Sequence, residues 1–293
     1  NKMNRRKFLK RCGFGVLTGA IIGSSIHLYL NDEKMKRAPK RNGKIIADLH
    51  THPANYKNDQ VTLDMLCSPG IVGLSFINHG RKNGILTYEN TLKRFLGLVE
   101  EIDENKLARV KGTSGYFART QEITGDAFHI LAVGCEGEYL PNYTDARQTV
   151  EEIHKKNGVA ILDHPYVTPN HGAKVIKYRL LNKEEEKVAK ELCEMVDEVE
   201  IFNAQNINPT FGIIVPNMKK ANERAEVLIK DYGFKGIVAS DTHFRLEQAK
   251  VCGIYVDEKE LSIERLKEDI KTGNFDNSYR RYVSKMSFGL GMF

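Results

Sequence analysis

The 293-residue chain has a formal net charge of +6, but residues 1–41 hold eleven Lys/Arg against two Asp/Glu, which leaves 33 against 36 for the body that follows. A mildly acidic body lacks the cationic surface on which backbone-phosphate binding depends, so duplex nucleic acid is not expected as a partner. The five cysteines, Cys12, Cys67, Cys135, Cys193 and Cys252, are far apart and include no Cys-x-x-Cys pair, which speaks against a zinc ribbon or a disulfide scaffold.

Taken in chain order, Met3-Asn4-Arg5-Arg6-Lys7-Phe8-Leu9-Lys10-Arg11 precedes a glycine-rich apolar stretch from Gly13 to Leu30. Paired arginines ahead of such a stretch look like a twin-arginine export signal, with a basic flank before a membrane anchor as the other reading. Both place the body outside the cytoplasm, in the periplasm or at the cell surface, because the basic flank stays inside. Residues 1–30 are therefore expected to be a signal or anchor that engages the export machinery, and residues 13–30 to remain in the membrane if uncleaved. Residues 31–43 read as a charged linker containing Pro39.

From Lys44 onward, short apolar runs alternate with amphipathic segments, the pattern of an α/β protein with a largely parallel sheet. One domain is expected over 44–275, followed by a tail over 276–293 whose aromatics dock on the barrel or on a partner subunit. Helices are predicted at 88–105, 145–157, 183–195, 217–231 and 262–272. Thr144 caps the second, which stops at Gly158; Asn182 caps the third; Pro216 suits the first turn of the fourth.

Six of the nine histidines stand where strand-like runs meet polar residues: His50, His52, His79, His129, His164 and His243. The first two form Asp48-Leu49-His50-Thr51-His52, and alternation along a strand can put both imidazoles on one face. Gln121-Glu122-Ile123-Thr124 adds a carboxylate able to bridge two cations, and Ser240-Asp241-Thr242-His243 adds another carboxylate and imidazole near the far end of the chain. Imidazole mixed with carboxylate suits an open hydrolytic centre, whereas a closed structural zinc site favours cysteine. His27, His154 and His171 are read as ordinary leader, helix and loop residues. Cys135, just past the His129 run, is either near the site or a buried apolar thiol.

These stretches, with Ile77-Asn78-His79-Gly80, Asp163-His164-Pro165 and Glu198-Val199-Glu200-Ile201-Phe202-Asn203-Ala204, occur in an order that resembles the polymerase and histidinol phosphatase (PHP) metal-dependent phosphoesterases over residues 44–275. The resemblance implies a distorted (β/α)7 barrel with two or three divalent ions, Zn, Mn or Fe, at the strand ends. It implies that His50, His52, Glu122 and Asp241 hold one ion, that Glu122 bridges to a second completed by His129 and His164, and that His79 and His243 serve a third. The chain departs from the family pattern at Asp59, which is displaced from the usual spacing, at Asn78, where Asp is frequent, and at Thr120, where Gly is frequent.

The expected function is an exported phosphoesterase that hydrolyses a small phosphorylated substrate with a hydroxide generated on the metals, with Glu122, Asp241 and His243 as catalytic residues and Asp241 or His243 protonating the leaving oxygen. Glu200 and Asn203 can face the rim, and Asn203 is either a substrate or site contact or a strand-end turn former. The loop from Tyr166 to Tyr178 is expected to shape specificity. The other function class is a metal-binding barrel that is non-catalytic or cleaves another bond, such as an amide.

Overall fold

The computed structural model describes residues 37–53, 58–77, 85–125, 127–169, 178–206, 218–243 and 246–282. The leader, His27, His79, Asn78, Pro216, His171 and most of the loop beyond Tyr166 lie outside the described residues.

Among the described residues, twelve strands and six α-helices make a mixed α/β fold. The main sheet runs in the order β11 (Ile237–Ala239), β10 (Glu198–Asn203), β7 (Val159–Asp163), β6 (His129–Val133), β5 (Gly115–Thr124), β2 (Gly70–Ile77), β1 (Lys44–Thr51) and β12 (Ile254–Asp257). Its two ends come back together: Thr51 bridges Thr242 in parallel, the His52 amide donates to Thr242 O at 2.6 Å, and the Asp241 amide donates to His50 O at 2.8 Å. The result is a nearly closed, barrel-like sheet. Its central strands are buried along almost their whole length, as near-continuous apolar runs covered on both faces require.

The sheet is less parallel than the sequence suggested. β6 pairs antiparallel with both β5 and β7, and β12 antiparallel with β1. A parallel return needs a crossover of a dozen or more residues, whereas β5 and β6 are joined by a tight turn in which the Gly125 amide donates to Phe128 O. This reversal has a functional consequence. β6 begins at the end of the sheet where β1, β5 and β7 finish, so His129 meets their histidines from the first residue of its strand. Cys135, beyond the far end of β6, is carried away from that end and packs under Gly158, where burial pushes its thiol up to about 11.

The helices α3 (Ala146–Lys155), α4 (Lys183–Cys193), α5 (Lys219–Leu228) and α6 (Ile263–Thr272) lie where the sequence placed them. Asn182 caps α4 in a reciprocal capping box with Glu185. The cap of α3 is Asp145, whose carboxylate accepts from the Arg147 amide, and not Thr144. The segment expected as one helix over 88–105 divides in two. α2 (Tyr88–Arg94) ends before Gly97, whose φ of +91° suits no helix, and β3 (Val99–Asp103) then pairs with β4 (Leu107–Val110) through a turn in which Asn105 is left-handed. α1 (Asp59–Cys67), not anticipated, is capped by Asn58. Its first residue, Asp59, pairs with Arg94. Along the tail, Tyr279 packs edge-on against Tyr255 and Tyr282 against Phe202, so residues up to 282 dock on the barrel.

β1 and β2 approach so closely that Gly73 has no room for a side chain: a Cβ there would lie 2.0 Å from Leu49 O and 2.5 Å from Leu49 C. Backbone on both sides cannot swing away. Gly73→Ala is expected to destabilise the fold by about 3 kcal/mol or more, the upper range for overpacking, read from urea unfolding midpoints. An unchanged midpoint would mean that the two strands separate readily at this point.

Candidate metal centre

Five imidazoles and four carboxylates converge at one end of the sheet. His50 and His52 come from the end of β1, Glu122 from β5, His129 from the start of β6, Asp163 and His164 from the end of β7, Glu200 from β10, and Asp241 and His243 from the segment after β11. Two of these side chains sit on left-handed backbone, His164 at φ +24° and Asp241 at φ +49°. Non-glycine residues persist there only where surrounding structure fixes them.

The ring nitrogens are oriented by groups that can only accept. His52 Nδ1 donates to Ser75 O at 2.9 Å, His243 Nδ1 to Asp241 O at 2.8 Å, and His50 Nδ1 faces Glu200 Oε1 at 3.2 Å. This fixes the tautomers so that the Nε2 lone pairs of His50 and His52 point at each other across 3.1 Å. Glu122 Oε2 lies 3.1 Å from His52 Nε2, and Asp241 Oδ1 lies 3.5 Å from His50 Nε2 and 3.7 Å from His52 Nε2. Two lone pairs that close are tolerable only with a proton or a cation between them. The spacings also match the ~3.4 Å edges of a tetrahedron around an ion with ~2.1 Å bonds.

The other oxygen of Glu122 faces a second group. Glu122 Oε1 is 2.5 Å from His129 Nδ1 and 3.5 Å from His164 Nε2. One carboxylate thus presents one oxygen to each cluster, the geometry of a bridging ligand. A third grouping, His52, Asp241 and His243, shares two members with the first. His79, expected beside His243, lies outside the described residues.

Charge and hydrogen bonding both fit cations here. Asp163 Oδ1 and Oδ2, His164 Nδ1 and Asp241 Oδ1 are buried without a hydrogen-bond partner, an expensive arrangement in a low-dielectric interior. Burial opposes protonation of His50 and of His164, but the surrounding carboxylates outweigh it: His50 is raised well above the usual imidazole range, chiefly by Asp163, Asp241 and Glu200, and His164 to about 9, chiefly by Glu122. Burial likewise opposes ionisation of Glu122, yet the imidazole beside it, His129, holds its carboxyl well below the ordinary range. Carboxylates raise the imidazoles and imidazoles lower Glu122, so each favours the charged form of the other, and bound cations can take the place of the imidazole protons.

Beyond the expected ligands, the structure adds Asp163 and Glu200, which with His50 Nδ1 make a third wall of the cluster. Asp163 stands in the Asp163-His164-Pro165 stretch, in which the sequence assigns a role only to the histidine. Asn203, expected as a contact or a turn former, donates from Nδ2 to Asp241 Oδ2 at 3.0 Å and to Glu200 Oε2 at 3.1 Å, so it orients two carboxylates. Thr120 bonds Ser75 Oγ and Leu49 O, tying β5 to β1 and β2 directly beneath the cluster. Asp48 takes the Ser240 and Lys250 amides, both at 2.8 Å.

No protein-family model matches the chain, and no curated protein does. Solved structures do match. The lesion-specific endonuclease PfuEndoQ from Pyrococcus furiosus is 14% identical at a TM-score of 0.49, over 80% of this chain and 57% of its own length. PsfC from Pseudomonas syringae is 10% identical at a TM-score of 0.49, over 85% of this chain and 95% of its own. A protein from Bifidobacterium adolescentis described as a metal-dependent phosphoesterase is 11% identical at a TM-score of 0.34, over 67% and 87% respectively. This chain spans little more than half of the endonuclease.

The match to an endonuclease corrects one expectation from charge. The expectation that duplex nucleic acid is not a partner, drawn from the mildly acidic residues 42–293, is not upheld, because a lesion-specific endonuclease is among the solved structures that the chain matches. Net charge describes an average over the surface and says nothing of a strand end held by cations at one mouth of a barrel.

Proposed function

We propose that this protein is a metal-dependent phosphoesterase. The observation that carries the reading is the opposition of His50 Nε2 and His52 Nε2 at 3.1 Å, closed in by Glu122 and Asp241. His50, His52, Glu122 and Asp241 would hold one divalent ion, and Glu122, His129 and His164 a second. Paired divalent ions neutralise phosphoryl oxygens and make water nucleophilic near neutral pH.

The chain's own residues supply positioning and protons. Asn203 holds Asp241 against β10, and the Ser240 amide contact to Asp48 holds the same segment against β1. Asp241 O accepts from His243 Nδ1, which orients that ring, and the side chain of His243 is the most exposed of the donor set, at 31%. His243 is therefore the group at the mouth from which a proton can pass to a leaving oxygen.

The test is a panel of phosphomonoesters, small phosphodiesters and oligonucleotides assayed with Mn, Zn and Fe. Hydrolysis of at least one class, abolished by chelation and restored by metal, is expected. Stoichiometric metal binding with no cleavage across the panel would instead leave a metal-binding barrel that acts on a different bond or on none.

A further inference from the structure

Asp163, the last residue of β7, is 1% exposed, and neither of its carboxylate oxygens has a hydrogen-bond partner. Its neighbour Glu200 is equally buried but well satisfied: Oε2 accepts from the His164 amide at 2.8 Å and from Asn203 Nδ2 at 3.1 Å, and Oε1 faces His50 Nδ1 at 3.2 Å. Asp163 Oδ1 faces the same ring nitrogen at 3.6 Å. No helix cap, turn or strand contact uses this carboxylate. An acid placed against a second acid, in the interior and without a donor, weakens the fold that contains it.

The feature that makes sense of it is on the other side of the His50 ring, where Nε2 enters the first metal grouping. A carboxylate that faces the remote N–H of a ligating imidazole fixes its tautomer and raises the basicity of the ligating nitrogen. We propose that Asp163 is a positioning residue for the metal centre: together with Glu200 it forms a negative wall behind His50 Nδ1 that strengthens cation binding at Nε2, and it does so at the expense of the stability of the metal-free protein. The inference rests on the reading of the cluster as a divalent-cation centre.

Function and stability should then respond to Asp163 in opposite directions, which a residue with a packing role alone would not produce. Asp163→Asn keeps the shape and removes the charge; Asp163→Ala removes the carboxylate altogether. The full-length chain is stripped with a chelator, melted, and then titrated with Mn and with Zn against a chromophoric competitor. Asp163→Asn is expected to melt roughly 2–4 °C above the wild type in the stripped state and to bind metal roughly 10–100-fold more weakly, with Asp163→Ala weakening binding by at least as much. If the wild type binds metal but Asp163→Asn binds it equally well, or melts lower when stripped, the positioning role is overturned and the centre itself stands. If the wild type binds neither metal, the proposed function fails first and this inference with it. A variant that does not fold counts against the proposal, because removal of a buried charge that no hydrogen bond satisfies is expected to help folding.

Discussion

Glu122→Gln is expected to abolish turnover while the protein still folds, and to weaken two bound ions together. Glu122 Oε2 stands 3.1 Å from His52 Nε2, and Oε1 stands 2.5 Å from His129 Nδ1, so a single side chain contributes to both groupings. Glutamine preserves the length and one acceptor oxygen, but its amide nitrogen cannot coordinate a cation and carries no charge. Loss of an outer partner of a metal ligand costs ~10–100-fold in affinity or activity, and loss of a bridging ligand should exceed that. The fold should survive, because Glu122 makes its polar contacts within the cluster and the backbone ladder of β5 does not depend on its side chain. Metal content of the purified variant, turnover on whichever ester the wild type cleaves, and the unfolding midpoint decide the matter. Unchanged activity, or loss of one ion with the other retained at full affinity, would refute the bridging role.

Asp48→Ala is expected to be the most damaging substitution to stability. Asp48 is fully buried, and its two oxygens accept the amides of Ser240 and Lys250, residues about two hundred positions away in the chain. Removing the carboxylate orphans both amides inside the protein, at about 1–3 kcal/mol each. It also detaches the segment that carries Asp241 and His243 from the strand that carries His50 and His52, where the remaining ties are the Asp241 and His52 amide bonds to His50 O and Thr242 O. Stability should fall by about 2–6 kcal/mol, and metal affinity should fall with it. Asp48→Asn, which keeps one acceptor, should lie between the two. Denaturant unfolding of the stripped proteins and metal competition measure the two effects separately. Lost stability with unchanged metal affinity would mean that Asp48 serves the fold alone.

Much of the histidine and carboxylate cluster was legible because its members sit at strand ends. His50 and His52 lie two residues apart on a strand, and strand periodicity alone places such a pair on one face; the structure brings their nitrogens to 3.1 Å. The helices with strong caps, such as the one begun by Asn182 and Glu185, were equally readable. What escaped depends on partners distant in sequence. The reversal of β6 follows from a tight turn and from its pairing with β7 as well as β5, and it changes which end of the sheet His129 reaches. The Val99–Asp103 segment passes for the end of a helix until Leu107–Val110 is seen beside it. Asp163 gave no signal of its own, because an aspartate before a histidine looks like a strand-end residue until its lack of any donor is seen in three dimensions.

The central claim is that these side chains from distant segments share cations. Crystals of the chain prepared with its natural metal content, with anomalous scattering recorded at the Mn, Fe and Zn edges, test it most directly. The account predicts one peak between His50, His52, Glu122 and Asp241 and a second between Glu122, His129 and His164. Fully occupied crystals of protein with no anomalous peak among these residues, after growth in each metal, would contradict it.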